Sequence, residues 1–255
     1  MIDWTAYEAV LFDLDGVLTA TARLHAASWK GTFDDYLRGR ASARGEPYRP
    51  FEMPGDYARF VDGRPRYDGV RTFLASRHIT LDDGAPDDPP GLETVCGLGN
   101  RKNAMFSRLL ASEGIEVYDG SLAVVRHLRR NGVRTAVVSS SRSCKAILHA
   151  AGLAGLFELR VDGQVAAQMG LPGKPAPDTF AYAARLLGVP PPRAVVVEDA
   201  IAGVEAGRAG GFGLVVAIDR TGEADALARA GADHVVTDLR ETVKDGDRAG
   251  PSEAR

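Results

Sequence analysis

The chain has 255 residues, 25% of them charged, and a formal net charge of −3, so no global basic field favours nucleic acid or an anionic membrane. Two cysteines, Cys96 and Cys144, are too few for a disulfide framework and lack metal-site spacing, and no apolar run approaches the roughly 20 residues that cross a bilayer. The N-terminal MIDWTAYEAV carries acids where a secretory leader would need basic residues, and a cytoplasmic protein is expected.

In chain order, the first apolar run is AVLFDLD (Ala9–Asp15), which closes on two aspartates and Gly16. Continuous apolar runs are the pattern of strands buried on both faces of a parallel sheet. Residues i and i+2 of a strand point the same way, so Asp13 and Asp15 are expected at one place on the strand's C-terminal edge. Like charges that close need a cation between them. Residues 19–112 differ in character. They carry amphipathic helical patterns, among them RLHAASWKGTFDDYL (Arg23–Leu37) and RKNAMFSRLLASEG (Arg101–Gly114), and no strong strand candidate. Within them TLDDGAPDDPPG (Thr80–Gly91) is acidic, rich in Pro and Gly, and reads as a surface loop.

Beyond residue 113, strand and helix patterns alternate. LAVVRHLRRNG (Leu122–Gly132) and TFAYAARLLGV (Thr179–Val189) have helical spacing and a terminating Gly. VRTAVVSSS (Val133–Ser141), AVVVEDA (Ala194–Ala200) and GLVVAID (Gly213–Asp219) are strand-like, with FELRVD (Phe157–Asp162) and HVV (His234–Val236) as weaker candidates. The pattern gives an α/β fold: a doubly wound, mainly parallel, Rossmann-like sheet core from residues 1–18 and 113–241. An all-helical cap domain is inserted at 19–112, and the polar segment 242–255 is expected to be disordered.

Four features could carry chemistry. DLDG supplies Asp13 and Asp15. VVSSSRS ends an apolar run in Ser139, Ser140 and Ser141, whose hydroxyls and backbone N–H groups can donate to phosphate oxygens. GLPGKPAPD holds Lys174 between Gly173 and Pro175, in a loop stiff enough to aim a point charge. AVVVEDA ends in Glu198 and Asp199, oxygen ligands suited to a hard cation such as Mg²⁺. Singly, each has a plain reading as a turn, a helix cap or a solvated loop. Their order and common position after apolar runs argue against coincidence.

With these motifs in this order the sequence resembles the haloacid dehalogenase superfamily of phosphotransferases, over essentially the whole chain except the tail. The resemblance implies Asp13 as nucleophile, Asp15 as general acid/base, and Ser139 and Lys174 as ligands of the transferring phosphoryl group. It also implies Mg²⁺ held by the Asp13 side chain, the Asp15 carbonyl and Asp199, with Glu198 in support. The inserted segment is most similar to the β-phosphoglucomutase-like branch. His25, ten residues after Asp15, and Trp29 match that branch, as do Gly63 and Arg66 in FVDGRPRYDG and Lys102 in GNRKN. By that likeness Arg66 would grip a non-transferring phosphate and Lys102 would bind substrate. His25 would couple cap closure to Asp15.

The expectation is therefore a monomeric, Mg²⁺-dependent enzyme acting on a sugar phosphate. It would interconvert β-glucose 1-phosphate and glucose 6-phosphate through an aspartyl-phosphate and a bisphosphate intermediate. A sugar-phosphate phosphatase is the alternative, and a non-catalytic phospho-ligand sensor a third. Departures from the branch's usual pattern, Ala20, Ala104, Arg142, Ser143 and the longer insert, bear on the sugar more than on the phosphoryl chemistry.

Overall fold

A computed structural model describes residues 1–243 of the chain. The described residues divide into two compact units, 1–20 with 115–243, and Thr21–Gly114. After β1 (Ala9–Phe12) come the helices of the second unit, α1 (Ala22–Arg44), α2 (Arg66–Ser76) and α3 (Val95–Glu113). The first unit then resumes with α4 (Asp119–Arg130), β2 (Arg134–Val138), α5 (Cys144–Ala150), β3 (Leu159–Val161), α6 (Gly163–Met169) and α7 (Asp178–Leu187). It continues through β4 (Ala194–Glu198), α8 (Ile201–Ala209), β5 (Leu214–Ile218), α9 (Ala224–Ala230) and β6 (His234–Val236).

The six strands form one sheet in the order β3-β2-β1-β4-β5-β6, and every pairing is parallel. β1, β4 and β5 are buried along their whole length, which explains their unbroken apolar sequences. The two weaker sequence patterns are the sheet's edges, β3 and β6, which are only partly buried and need fewer apolar residues. On one face Ala9, Leu11, Ala136, Val138 and Val196 pack against Phe180, Ala183, Ala184 and Leu187 of α7. Those four positions follow the i, i+3, i+4, i+7 stripe of an amphipathic helix. Each large side chain buried there stabilises the fold by about 1.5–3 kcal/mol. Gly188, at φ +70°, then ends α7. On the other flank Val215 and Ala217 of β5 meet Val204 of α8 and Leu227 of α9.

The strand order reverses at β1. The chain builds β2 and β3 on one side, then crosses to β4, β5 and β6 on the other. The carboxyl ends of strands at such a reversal border the crevice where open α/β sheets bind ligands.

The second unit is helical and has its own core of Trp29, Phe33, Tyr36, Phe51, Val70, Phe73 and Leu98. Phe33 stacks on Trp29 with ring centres 5.1 Å apart and meets Phe73 at 4.1 Å. The acidic stretch after Leu81 lies over α3. The Pro86 carbonyl accepts from Tyr67 and Asn100, that of Asp88 from Asn100, and that of Pro90 from Arg101.

Of the segment 242–255, Thr242 and Val243 are described and buried. The Thr242 carbonyl accepts a hydrogen bond from Ile2 N at 3.0 Å. The rest of that expected tail lies outside the described residues. Among those residues no helix is long and apolar enough to cross a membrane.

Candidate active site

β1 ends at Phe12, earlier than the apolar run suggests. The Asp13 N–H still donates to Val197 O at 2.9 Å, extending the ladder by one residue before the chain turns through Leu14–Thr19. Asp13 and Asp15 meet because of that turn rather than through strand alternation. The Asp15 N–H donates to Asp13 Oδ2 at 2.9 Å, and the Gly16 N–H to Thr19 O at 2.7 Å. Gly16 has φ +90°, and a Cβ there would lie 1.7 Å from Asp199 Oδ2. Conformation and space both require glycine.

Lys174 is 2% exposed. Its Nζ donates to Asp13 Oδ1 at 2.6 Å, to Glu198 Oε1 at 2.5 Å and to Val138 O at 3.1 Å, which uses all three ammonium protons. The second Glu198 oxygen accepts from the N–H groups of Asp199 (2.8 Å) and Ala200 (3.0 Å). α8 approaches this carboxylate closely: a Cβ on Gly203 would lie 1.8 Å from Glu198 Oε1. Burial lifts the Asp13 carboxyl well above the usual carboxylate range. Lys174 opposes that rise, while Glu198 and Asp15 add to it. Burial alone would lower the Lys174 ammonium, but Asp13 and Glu198 outweigh it and hold the group charged.

The serines follow β2. Ser139 is buried; its Oγ donates to Asp15 Oδ2 at 3.4 Å and accepts from Ser141 N–H at 3.1 Å. Ser141 Oγ in turn accepts from Ser143 N–H at 3.2 Å, so two successive hydroxyl turns shape the segment. Ser140 lies between them, its carbonyl facing Gly163, where a Cβ would come within 2.6 Å. Cys144 is fully buried. Burial, then Asp15 and Asp162, pushes its thiol up, which makes it a packing residue rather than a nucleophile.

Asp13, Glu198 and Asp199 each offer a carboxylate oxygen within 4.8 Å of the others. Asp15 adds a fourth carboxylate beside Asp13, while the Lys174 ammonium pairs with only two of them, Asp13 and Glu198, which leaves an excess of negative charge in a largely buried place. The donors are all hard oxygens, and the missing Cβ of Gly16 leaves Asp199 its position. The set fits a divalent metal ion.

The remaining expected residues belong to the helical unit. Lys102 on α3 is buried; it donates to Nδ1 of His25 on α1 and lies 5.1 Å from the Trp29 ring and 5.0 Å from that of Phe106. His25 also stacks on Phe106 at 4.0 Å. Arg66 opens α2; its guanidinium donates to Asn103 Oδ1 at 2.6 Å and Asn100 Oδ1 at 3.4 Å. Gly99 lets Arg66 and Tyr67 pack against α3, since a Cβ there would lie 2.8 Å from the Tyr67 ring. Gly63 sits at φ +68° before α2.

The sequence reading missed Asn100 and Asn103, and also Arg220, whose Nε donates to the Gly16 carbonyl at 2.8 Å. A signal for Arg220 existed: it follows an apolar run directly, the same position that marks the other site residues.

Residues 7–211 match the haloacid dehalogenase-like hydrolase family. The chain is 52% identical over 238 residues to the β-phosphoglucomutase of Mycobacterium bovis, covering 92% of this chain and 91% of that protein. It is 29% identical over 206 residues to the β-phosphoglucomutase of Bacillus subtilis, 80% of each chain. The crystal structure of CbbY from Rhodobacter sphaeroides in complex with phosphate is similar with a TM-score of 0.67 and 26% identity, covering 94% of this chain and 98% of that one. The chain belongs to the haloacid dehalogenase-like hydrolase family.

Proposed function

We propose that this protein is a β-phosphoglucomutase, interconverting β-glucose 1-phosphate and glucose 6-phosphate through phospho-Asp13 and β-glucose 1,6-bisphosphate. The observation that carries the reading is the fixed Asp13 carboxylate, one oxygen on Lys174 and the other on the Asp15 N–H. A nucleophile held at both oxygens is pre-oriented for in-line attack on phosphorus. As the Asp13 oxygen–phosphorus bond forms, the bond to the leaving oxygen breaks and the Asp15 proton passes to that oxygen. In the return step Asp15 takes a proton from the next acceptor hydroxyl. Lys174 and Ser139 offset negative charge on the phosphoryl oxygens. Asp13, Asp199 and the Asp15 carbonyl, with Glu198 in support, would hold Mg²⁺, which when bound supplies Lewis-acid stabilisation of the phosphoryl group.

A mutase must bind two phosphates, and a hydrolase needs only one. Arg66, oriented by Asn100 and Asn103, is the residue we assign to the non-transferring phosphate, with Lys102, His25 and Trp29 as further substrate contacts. The 52% identity with a protein named β-phosphoglucomutase supports the same choice.

The test is to incubate the protein with Mg²⁺ and β-glucose 1-phosphate, with and without the bisphosphate, and to measure glucose 6-phosphate against free phosphate. Glucose 6-phosphate formation stimulated by the bisphosphate is expected. Rapid phosphate release without isomerisation would replace the mutase with a phosphatase. Arg66→Ala should reduce isomerisation far more than hydrolysis of a small phosphate ester, and equal losses would remove Arg66 from its assigned role.

A further inference from the structure

Arg220 lies in the loop after β5 and has no part in the scheme above. Its Nε donates to Gly16 O at 2.8 Å, its Nη1 donates to Thr237 O at 3.0 Å, and its guanidinium carbon sits 3.7 Å from the centre of the Tyr118 ring. The side chain thus ties together three places in the sheet unit: the turn carrying Asp15, the end of β6, and the entry to α4. The loop that presents it is itself fixed. Asp219 Oδ1 accepts from the N–H groups of Thr221, Gly222 and Glu223 at 3.1, 2.8 and 3.0 Å, and Asp219 N donates to Val236 O at 2.7 Å. An aromatic face beneath a guanidinium and two carbonyl acceptors in its plane restrict its rotation.

We propose that Arg220 is a positioning residue for Asp15. Gly16 follows Asp15 in a left-handed conformation, where a glycine peptide has wide freedom to rotate. A charged donor on the Gly16 carbonyl removes that freedom at the Gly16–Val17 peptide, and the Gly16 N–H on Thr19 O holds the peptide before it, so the backbone on which the Asp15 side chain stands is fixed from both sides. The carboxyl is thereby kept beside Ser139, whose Oγ donates to it at 3.4 Å, while the Asp15 N–H stays on Asp13 Oδ2.

This inference rests on Asp15 being the general acid/base, and the experiment separates the two claims. Two rates are compared: isomerisation of β-glucose 1-phosphate, whose sugar oxygen must be protonated to leave, and the pre-steady-state burst of p-nitrophenolate from p-nitrophenyl phosphate, a first step in which the phenolate leaves unprotonated and no acceptor is yet deprotonated. Arg220→Met keeps the packing on Tyr118 and removes the donor. It is expected to lower kcat for the sugar by at least ~10-fold, part of the general-acid contribution of ~10²–10⁴, with KM little changed and the p-nitrophenolate burst rate nearly intact. Arg220→Lys, which still offers Gly16 a donor, should recover most of the lost rate. Equal losses on both substrates, a Met variant at the wild-type rate, or a Lys variant no better than Met would each overturn the proposal, the last also covering a Met variant that fails to fold. Asp15→Asn is the control for the parent reading. If it loses both substrates equally, the acid/base role of Asp15 falls; if it alone is selective, only Arg220's role falls.

Discussion

A buried ammonium between two buried carboxylates is stable only while its partners are present, because an uncompensated charge in a low-dielectric site is costly. Lys174→Met leaves Asp13 and Glu198 facing each other without a cation. It is expected to abolish turnover and to destabilise the fold by roughly 3–5 kcal/mol in denaturant titrations. Adding Glu198→Gln to that variant removes one stranded charge and should restore part of the loss. A single variant as stable as wild type would show that solvent or ions reach the cluster freely. At this scale the sequence was legible where residue type and position conflict: acids, serines and a restrained lysine beside apolar runs have few reasons to be there. Asn100 and Asn103 were not legible, and Arg220 carried only the weak signal of following an apolar run. Amides on a helix and an arginine after a strand are ordinary on a surface, and only the tertiary contacts distinguish these.

Elements bring those residues together through close approaches that side chains would block. α8 seats on Glu198 because Gly203 has no Cβ, and the turn after β1 seats on Asp199 because Gly16 has none. Gly203→Ala would force the Glu198 carboxylate off Lys174 and is expected to cost about 1–3 kcal/mol of stability together with most of the activity. Thermal unfolding and turnover of that variant check this, and unchanged values in both would mean α8 can move away at little cost. The strands were readable in the sequence because the sheet is buried on both faces, which forces unbroken valine runs. β3 and β6 gave fainter patterns because edges are half-solvated. The turn at Asp13–Gly16 was misread as continued strand, since an apolar run does not reveal where a carboxylate begins to accept from the backbone. α2 was not read at all: its buried Val70, Phe73 and Leu74 are too few for a clear helical stripe.

Among the described residues each unit buries apolar side chains of its own, and each includes one of the two tryptophans: Trp4 in the sheet unit and Trp29 in the helical unit. Units with their own apolar clusters can open as separate cooperative blocks. Urea unfolding followed by fluorescence in Trp4→Phe and Trp29→Phe variants is expected to give two distinct midpoints. Coincident midpoints would mean that the two cores unfold as one. Mg²⁺ bound by the carboxylate cluster should raise the midpoint reported by Trp4, as any ligand of the native state does. The division into a sheet core and a helical insert could be read from the change of pattern after residue 19, whereas the polar networks inside each unit could not. The central claim is that this cluster carries a phosphoryl group on Asp13. The most direct measurement is to mix the protein with Mg²⁺ and ³²P-labelled β-glucose 1,6-bisphosphate, quench in acid and map the labelled peptide. Label on the VLFDLDGVLT segment at Asp13, absent from Asp13→Asn, is the result expected. Turnover without acid-stable label there, or label retained by Asp13→Asn, would contradict the account.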